Sequence, residues 1–394
     1  MYLAGAAAVC SVVSIAASQI LMGLALVALL VSRQKLVWPP VTLPFAVFLA
    51  GTLLSLAASG HIREGLPQVR KFYVYVMLFL IVTTFRTAVQ VRWVVLGWAL
   101  AASLSAAWSL EQFARKYRVV AKAHQDFYAA YIGARITGFM SHWMTFSGHM
   151  MMALLLIAAL VFFSKDRRWI GWLLVAATLV SVGLIAAETR SMWLGAAAGA
   201  LYLTWFWRRW VVVAVPALVG ILMLINPFEV RDRAVSAFRP HGDEDSNAHR
   251  AVTRAIGWEM IKAHPWLGVG PEQVGRQYLE YLPPWTRLPL PTGYYGHLHN
   301  IYVHYAAERG VPTMLALMWM LGRALFDFVR ALRRLPSSAE ESWVLHGALA
   351  VMIAILISGF FELNLGDSEV LSMFLAVIGC GYVAVAQGEE KCRA

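Results

Sequence analysis

Charge is scarce in this sequence: only 14% of its 394 residues are Asp, Glu, Lys or Arg, while 60% are hydrophobic. With a mean hydropathy of +0.62, the chain falls outside the range of soluble globular domains and needs a bilayer as solvent. Cysteine is scarce as well. Cys10 and Cys380 sit inside apolar segments and Cys392 in the tail, with no metal-ligand spacing and no paired framework. The sequence contains no HExxH, no Gly-x-Ser-x-Gly elbow and no P-loop, and no set of His, Asp and Glu has zinc-ligand spacing. A metal-independent mechanism is therefore expected. Gly268-Val269-Gly270 reads as a helix stop rather than a nucleotide cradle, because no strand precedes it. The N-terminus lacks a basic n-region and a cleavage site, so its first apolar stretch is expected to remain as a membrane segment.

What is present is a succession of apolar runs from one end to the other, most of them near or above the ~20 residues that a helix needs to cross ~30 Å of hydrocarbon. Read between polar breaks, they predict an all-α polytopic membrane protein with about 12 transmembrane helices. These fall at 3–17, 19–32, 37–59, 67–85, 91–114, 139–163, 169–187, 191–207, 210–226, 299–330, 341–363 and 368–387. Only Ser18-Gln19 divides the first two, so one long helix there is the alternative. The net charge of +11 arises from short basic clusters between apolar runs rather than from one soluble face, which argues against nucleic acid. Basic residues of short loops stay inside. Arg33/Lys35, Arg86/Arg92, Lys165/Arg167/Arg168, Arg208/Arg209, Arg330/Arg333/Arg334 and the tail are then cytoplasmic, and 60–66, 115–138, 188–190, 227–298 and 364–367 face outward. The expected organisation is nine helices over 1–226, a periplasmic loop with short helices over 227–298, and three helices with a cytoplasmic tail over 299–394.

The 227–298 stretch is too long and too polar for a mere connection. Ser246-Asn247 offers a helix cap, 249–263 reads as an amphipathic helix stopped by Pro265 and the Gly-Val-Gly, and Pro283, Pro284, Pro289 and Pro291 mark an extended run. Where this loop meets the tenth helix lies the densest polar cluster beside a membrane segment, Tyr294-Tyr295-Gly296-His297-Leu298-His299-Asn300. It is either an interfacial belt of amphipathic side chains or a catalytic histidine at the water-facing mouth of a bundle. Composition leaves both open.

Arg190, between two apolar helices, is either functional or a snorkelling end-of-helix residue. Arg250 and Arg254, four residues apart, share a helix face that is solvated, paired with Asp243, Glu244 and Asp245, or used. The 115–138 loop sets Arg115, Lys116, Arg118, Lys122 and Arg135 among Tyr117, Phe127, Tyr128 and Tyr131, a pattern that suits anionic headgroups. His142 and His149, seven apart on an apolar helix, read as packing.

His299-Asn300, nine residues and then Gly310-Val311-Pro312-Thr313 resemble the His-Asn-x9-Gly-x-x-(Gly/Thr/Tyr) pattern of O-antigen ligases, within HLHNIYVHYAAERGVPT. The helix from Arg250 into His264-Pro265-Trp266-Leu267-Gly268-Val269-Gly270 is similar to the family's Arg…His-Pro-x-x-Gly-x-Gly segment, and Glu188-Thr189-Arg190-Ser191 to its arginine between two helices. The resemblance implies a GT-C-like architecture and a Gram-negative inner-membrane enzyme of lipopolysaccharide synthesis. Such an enzyme moves a polysaccharide from undecaprenyl pyrophosphate to lipid A–core on the periplasmic face, by inverting substitution. It also implies His299 as base, Arg190 and Arg250 on the pyrophosphate, and Arg254 and Asn300 in substrate binding, while Arg115, Lys116, Arg118 and Arg135 would meet phosphorylated lipid A–core. No nucleotide cofactor is needed, since the donor already carries its leaving group. An O-antigen polymerase or protein O-oligosaccharyltransferase shares the donor chemistry. A transporter would instead line mid-membrane helices with ionisable residues, whereas the charges here cluster at membrane ends.

Overall fold

The computed structural model describes residues 1–235, 246–336 and 339–393. Helix accounts for 77% of the described residues, and no strand occurs among them. Helices α1 (Tyr2–Cys10) and α2 (Ile15–Val31) are separate and pack on each other. Their turn falls at 11–14. Ser18 lies buried within α2 and donates its hydroxyl to Ala7 O at 2.7 Å, so this polar residue tightens the pair rather than dividing it. Next come α3 (Thr42–Ala58), α4 (Ile62–Arg70) and α5 (Val76–Thr84), the last two joined through a 3-10 turn at Lys71–Tyr75.

At 35 residues, α6 (Ala88–Lys122) is about 52 Å long at 1.5 Å per residue and outruns a ~30 Å hydrocarbon core. Residues 115–122, expected in a loop, therefore continue the helix. Nothing in RKYRVVAK breaks a helix, and Arg115 Nε pairs with Glu111 one turn back at 2.7 Å.

The chain continues through α7 (Phe127–Ile132), α8 (Trp143–Phe163), α9 (Ile170–Ala186), α10 (Arg190–Arg208) and α11 (Ala214–Ile225). The long connecting stretch holds α12 (Val230–Val235), α13 (Ser246–Ala263) and the short α14 (Val274–Gln277), and the chain ends with α15 (Ile301–Arg309), α16 (Val311–Arg334), α17 (Glu341–Ser358) and α18 (Ser368–Arg393). Asp243, Glu244 and Asp245, considered above as partners of the α13 arginines, lie outside the described residues. At the centre α17 packs against α8, α10 and α18, with Trp343 and Phe374 fully buried.

Among the described residues, five helical spans are long and apolar enough to cross a membrane: Ile62–Thr84, Ala88–Lys122, Trp143–Phe163, Glu341–Ser358 and Ser368–Lys391. The pair Arg190–Val213 and Pro216–Ile225, bent by 71°, makes a sixth if counted as one span. Ile15–Val31, Thr42–Ala58 and Ile170–Ala186 are apolar but shorter. Length and apolarity alone thus support five or six crossings rather than twelve. The expected tenth segment, 299–330, is two helices, α15 and α16, broken at Gly310.

That break anchors the long stretch. Pro312 has no N–H for the Glu308 carbonyl, and the Val311 N–H turns away to Pro265 O at 2.8 Å. The two carbonyls so released are taken by Val269 N–H to Ala307 O and Gly270 N–H to Glu308 O, each at 2.9 Å. The His-Pro-x-x-Gly-x-Gly run is therefore docked onto the α15–α16 junction, and Ile256 and Met260 of α13 are buried against the same place. The approach is close enough to require glycine. At Gly310 (φ +85°) an added Cβ would lie 2.0 Å from Trp266 O, and at Gly268 (φ +69°) 2.4 Å from the Glu308 backbone. Gly310→Ala is expected to lower stability by about 1–3 kcal/mol through this strain and clash, read as a lower thermal midpoint and faster proteolysis within 227–298. An unchanged midpoint would refute the docking account.

Candidate active site

Asn300 caps α15. Its Oδ1 accepts from Tyr302 N and Val303 N, both at 2.9 Å, and its Nδ2 donates to Phe360 O at 3.0 Å. Ile301 N–H reaches Gly359 O at 2.8 Å. The start of α15 is thereby fixed to the turn after α17, which brings His299 to Glu362. His299 sits in the left-handed region (φ +47°), a conformation that costs a non-glycine residue about 1–2 kcal/mol and is characteristic of functional sites. Its Nδ1 lies 3.3 Å from Glu362 Oε2 and its Nε2 3.3 Å from Tyr294 O.

Glu362 joins two of the residues singled out in the sequence. Its Oε1 accepts from Arg250 Nη2 of α13 and its Oε2 faces His299, with the carboxylate side chain only 3% exposed. Burial alone would raise its pKa, but Arg250 and His299 outweigh burial and hold it at about 2. The carboxylate is thus charged at neutral pH. Beside it, His249 of α13 is pulled down to about 4 by burial and by His299, and His297 to about 2 by the same two causes. Both are neutral imidazoles whose rings stand 5.1 and 4.0 Å from that of His299.

These groups line a cavity of about 880 Å³ that also receives Arg135, Arg190 and Arg233. Arg190, at the first position of α10, donates to Asn247 Oδ1 of α13 at 3.0 Å. Arg135 Nη1 and Arg233 Nε converge on the Glu188 carbonyl at 3.1 and 3.0 Å, and Arg135 lies over the Trp143 ring at 4.6 Å. Burial, followed by Arg233, brings Arg135 down to about 9, so it stays protonated at neutral pH. Burial raises the Glu188 carboxyl to about 8 against Arg233 and Arg135. As a neutral acid at pH 7 it does not cancel the arginine charge. Four guanidinium groups lining one cavity can take a multiply charged anion, since a guanidinium presents a planar fork to phosphate oxygens.

Of the residues expected from the sequence, His299, Arg190, Arg250 and Arg135 meet in this cavity. The others do not. Arg254 lies one turn along α13, about 6 Å farther, and is exposed. Arg115 and Arg118 are exposed on α6 and pair with Glu111, with Lys116 between them, all outside the cavity lining. Asn300 is 7% exposed and acts as a cap. Sequence reasoning missed Glu362, Arg233 and His249. Glu362 carried a legible signal, a lone carboxylate at the end of an apolar segment, which is costly unless it is paired or used.

Residues 175–318, which include Arg190, Arg233, Arg250 and His299, match a family model described as O-antigen ligase. Over that stretch the chain is similar to the O-antigen ligase family, and the match supports that family for it. No curated protein matches the chain at a comparable level. O-antigen ligase family members are glycosyltransferase-like enzymes that act on polysaccharide and lipid substrates. With several apolar helices, the chain is a multi-pass membrane protein. Arg135 and Glu362 lie outside the matched O-antigen ligase segment, yet the fold delivers both to the same cavity.

Proposed function

We propose that this protein transfers a glycan from undecaprenyl pyrophosphate to lipid A–core at the periplasmic face of the inner membrane, without a metal ion and with inversion at the sugar carbon. The observation that carries this reading is the Arg250–Glu362–His299 chain in a cavity shared with Arg135, Arg190 and Arg233. Glu362 orients His299 by accepting its Nδ1–H, which leaves Nε2 as the basic nitrogen. An acceptor hydroxyl replaces the Tyr294 carbonyl at Nε2, gives up its proton there, and forms the new bond to the anomeric carbon. The bond from that carbon to the pyrophosphate breaks, its electron pair leaves with undecaprenyl pyrophosphate, and the arginines take up the developing charge. Attack opposite the leaving group inverts the carbon. The shorter apolar helices complete the membrane bundle in this reading, with 227–298 on the outer side.

Purified protein given undecaprenyl-pyrophosphate-linked glycan and lipid A–core is expected to shift the acceptor to higher mass on a gel, equally in the presence of EDTA. Loss of transfer in EDTA that magnesium or manganese restores would sink the metal-independent step. Elongation of the donor glycan with no product on lipid A–core would make the protein a polymerase.

A further inference from the structure

A second polar group lines the same cavity, along α15 from His299. His299 lies just before Asn300, the cap of α15, and Glu308 lies in the last turn, so α15 forms a wall about 13 Å long with His304 between the two. Toward Glu308 stand Gln68, Lys71 and Glu272. Most of these groups satisfy one another. Glu308 accepts from Glu272 N at 3.0 Å and from Arg309 Nε at 2.9 Å, and Gln68 accepts from Arg309 Nη2 at 3.0 Å while donating to Glu272.

Lys71 differs. Its ammonium donates to Gly366 O at 3.0 Å and makes no ion pair among the described residues. Of its three N–H donors two are left for a ligand. It also stands at the 3-10 break inside the span Ile62–Thr84, where an ionisable side chain is costly unless it is used. His304 Nδ1, buried on the same wall, likewise has no hydrogen-bond partner. Glu362, which holds His299, and Gly366, which holds Lys71, are four residues apart, at most about 14 Å of chain. One ligand can therefore touch both.

We propose that this part of the cavity is the acceptor subsite, in which Lys71 pairs an anionic substituent, phosphate or carboxylate, on the acceptor carbohydrate. The inference rests on the transfer reaction proposed above. With pyrophosphate on the arginines, the nucleophile enters from the other side of His299, along α15 toward Lys71. A single compact ammonium among hydrogen-bonding groups suits one anion on a hydroxyl-rich ligand, whereas the forked arginines suit the pyrophosphate.

Initial rates of transfer, with acceptor and donor varied in turn, test the subsite. Lys71→Gln is expected to raise the acceptor KM about tenfold or more, the loss of one charge-assisted hydrogen bond, and to move the donor KM by less than about twofold on the same scale. Lys71→Arg should recover most of the acceptor affinity. Wild-type protein with dephosphorylated acceptor, or with carboxyl-reduced acceptor, should reproduce the rise for whichever group Lys71 holds, and Lys71→Gln should add nothing further on that acceptor. A rise in donor KM instead, or wild-type affinity for both modified acceptors, would overturn the subsite and leave the transfer reaction standing. Absence of any transfer by wild-type protein would overturn both.

Discussion

His299→Ala is expected to slow glycan transfer by about 10²–10⁴-fold, the range for loss of a general acid–base group, while the protein still folds and inserts. The backbone at this position is held by Asn300, through its bonds to Tyr302, Val303 and Phe360, and by Ile301 N–H on Gly359 O, none of which uses the imidazole. What the substitution removes is the nitrogen pair that links Glu362 on one side with the cavity on the other. Transfer is measured at matched protein level, with His61→Ala as the control, because His61 is exposed at the start of α4 and outside the cavity lining. His297, a natural control if it lay at the headgroup belt, cannot serve: its Nδ1 accepts the His299 N–H at 3.3 Å and its ring packs on that of His299. Wild-type rates from His299→Ala would remove the base from the mechanism.

How much of this could be read in advance depends on the range of the interactions. Local rules worked where local chemistry decides. The amphipathic 249–263 pattern is α13, and its stop at Pro265 and Gly268 is the observed end. The His-Asn pair sits at a helix start because Asn is a good cap. Charge was a poorer guide at α6, where the basic run begins but nothing terminates the helix, so Arg115, Lys116 and Arg118 ride on an exposed extension instead of closing over the cavity. The roles of Gly268 and Gly310 depend on two segments meeting across about 40 residues of chain, and the pairing of Glu362 with Arg250 spans 112 positions. Such contacts have no periodicity to betray them. Lys71 and Arg135 likewise reach the cavity only because α4, α8, α10, α13 and α15 converge there.

Glu362→Gln should be nearly as damaging to transfer as loss of the histidine, and it carries a second signature in acid. The two groups that Glu362 serves, Arg250 Nη2–H and His299 Nδ1–H, are both donors. Glutamine offers one carbonyl oxygen and one NH₂, so one donor must face another donor, and either the guanidinium or the imidazole loses its place. By analogy with other carboxylate–imidazole pairs, a fall in kcat of about 10²–10⁴-fold is expected. The acid signature follows from linkage. With its folded-state pKa at about 2, below the ordinary 4.5, Glu362 contributes stability that is present above pH ~4.5 and lost as the pH falls toward 2, worth about 3 kcal/mol for a shift of this size. Wild-type protein should therefore lose thermal stability across that window. Glu362→Gln should start lower at pH 7 and lose correspondingly less. Parallel wild-type and variant unfolding curves between pH 5 and 2, together with an undiminished kcat, would mean that the carboxylate neither bears charge in this pair nor orients His299.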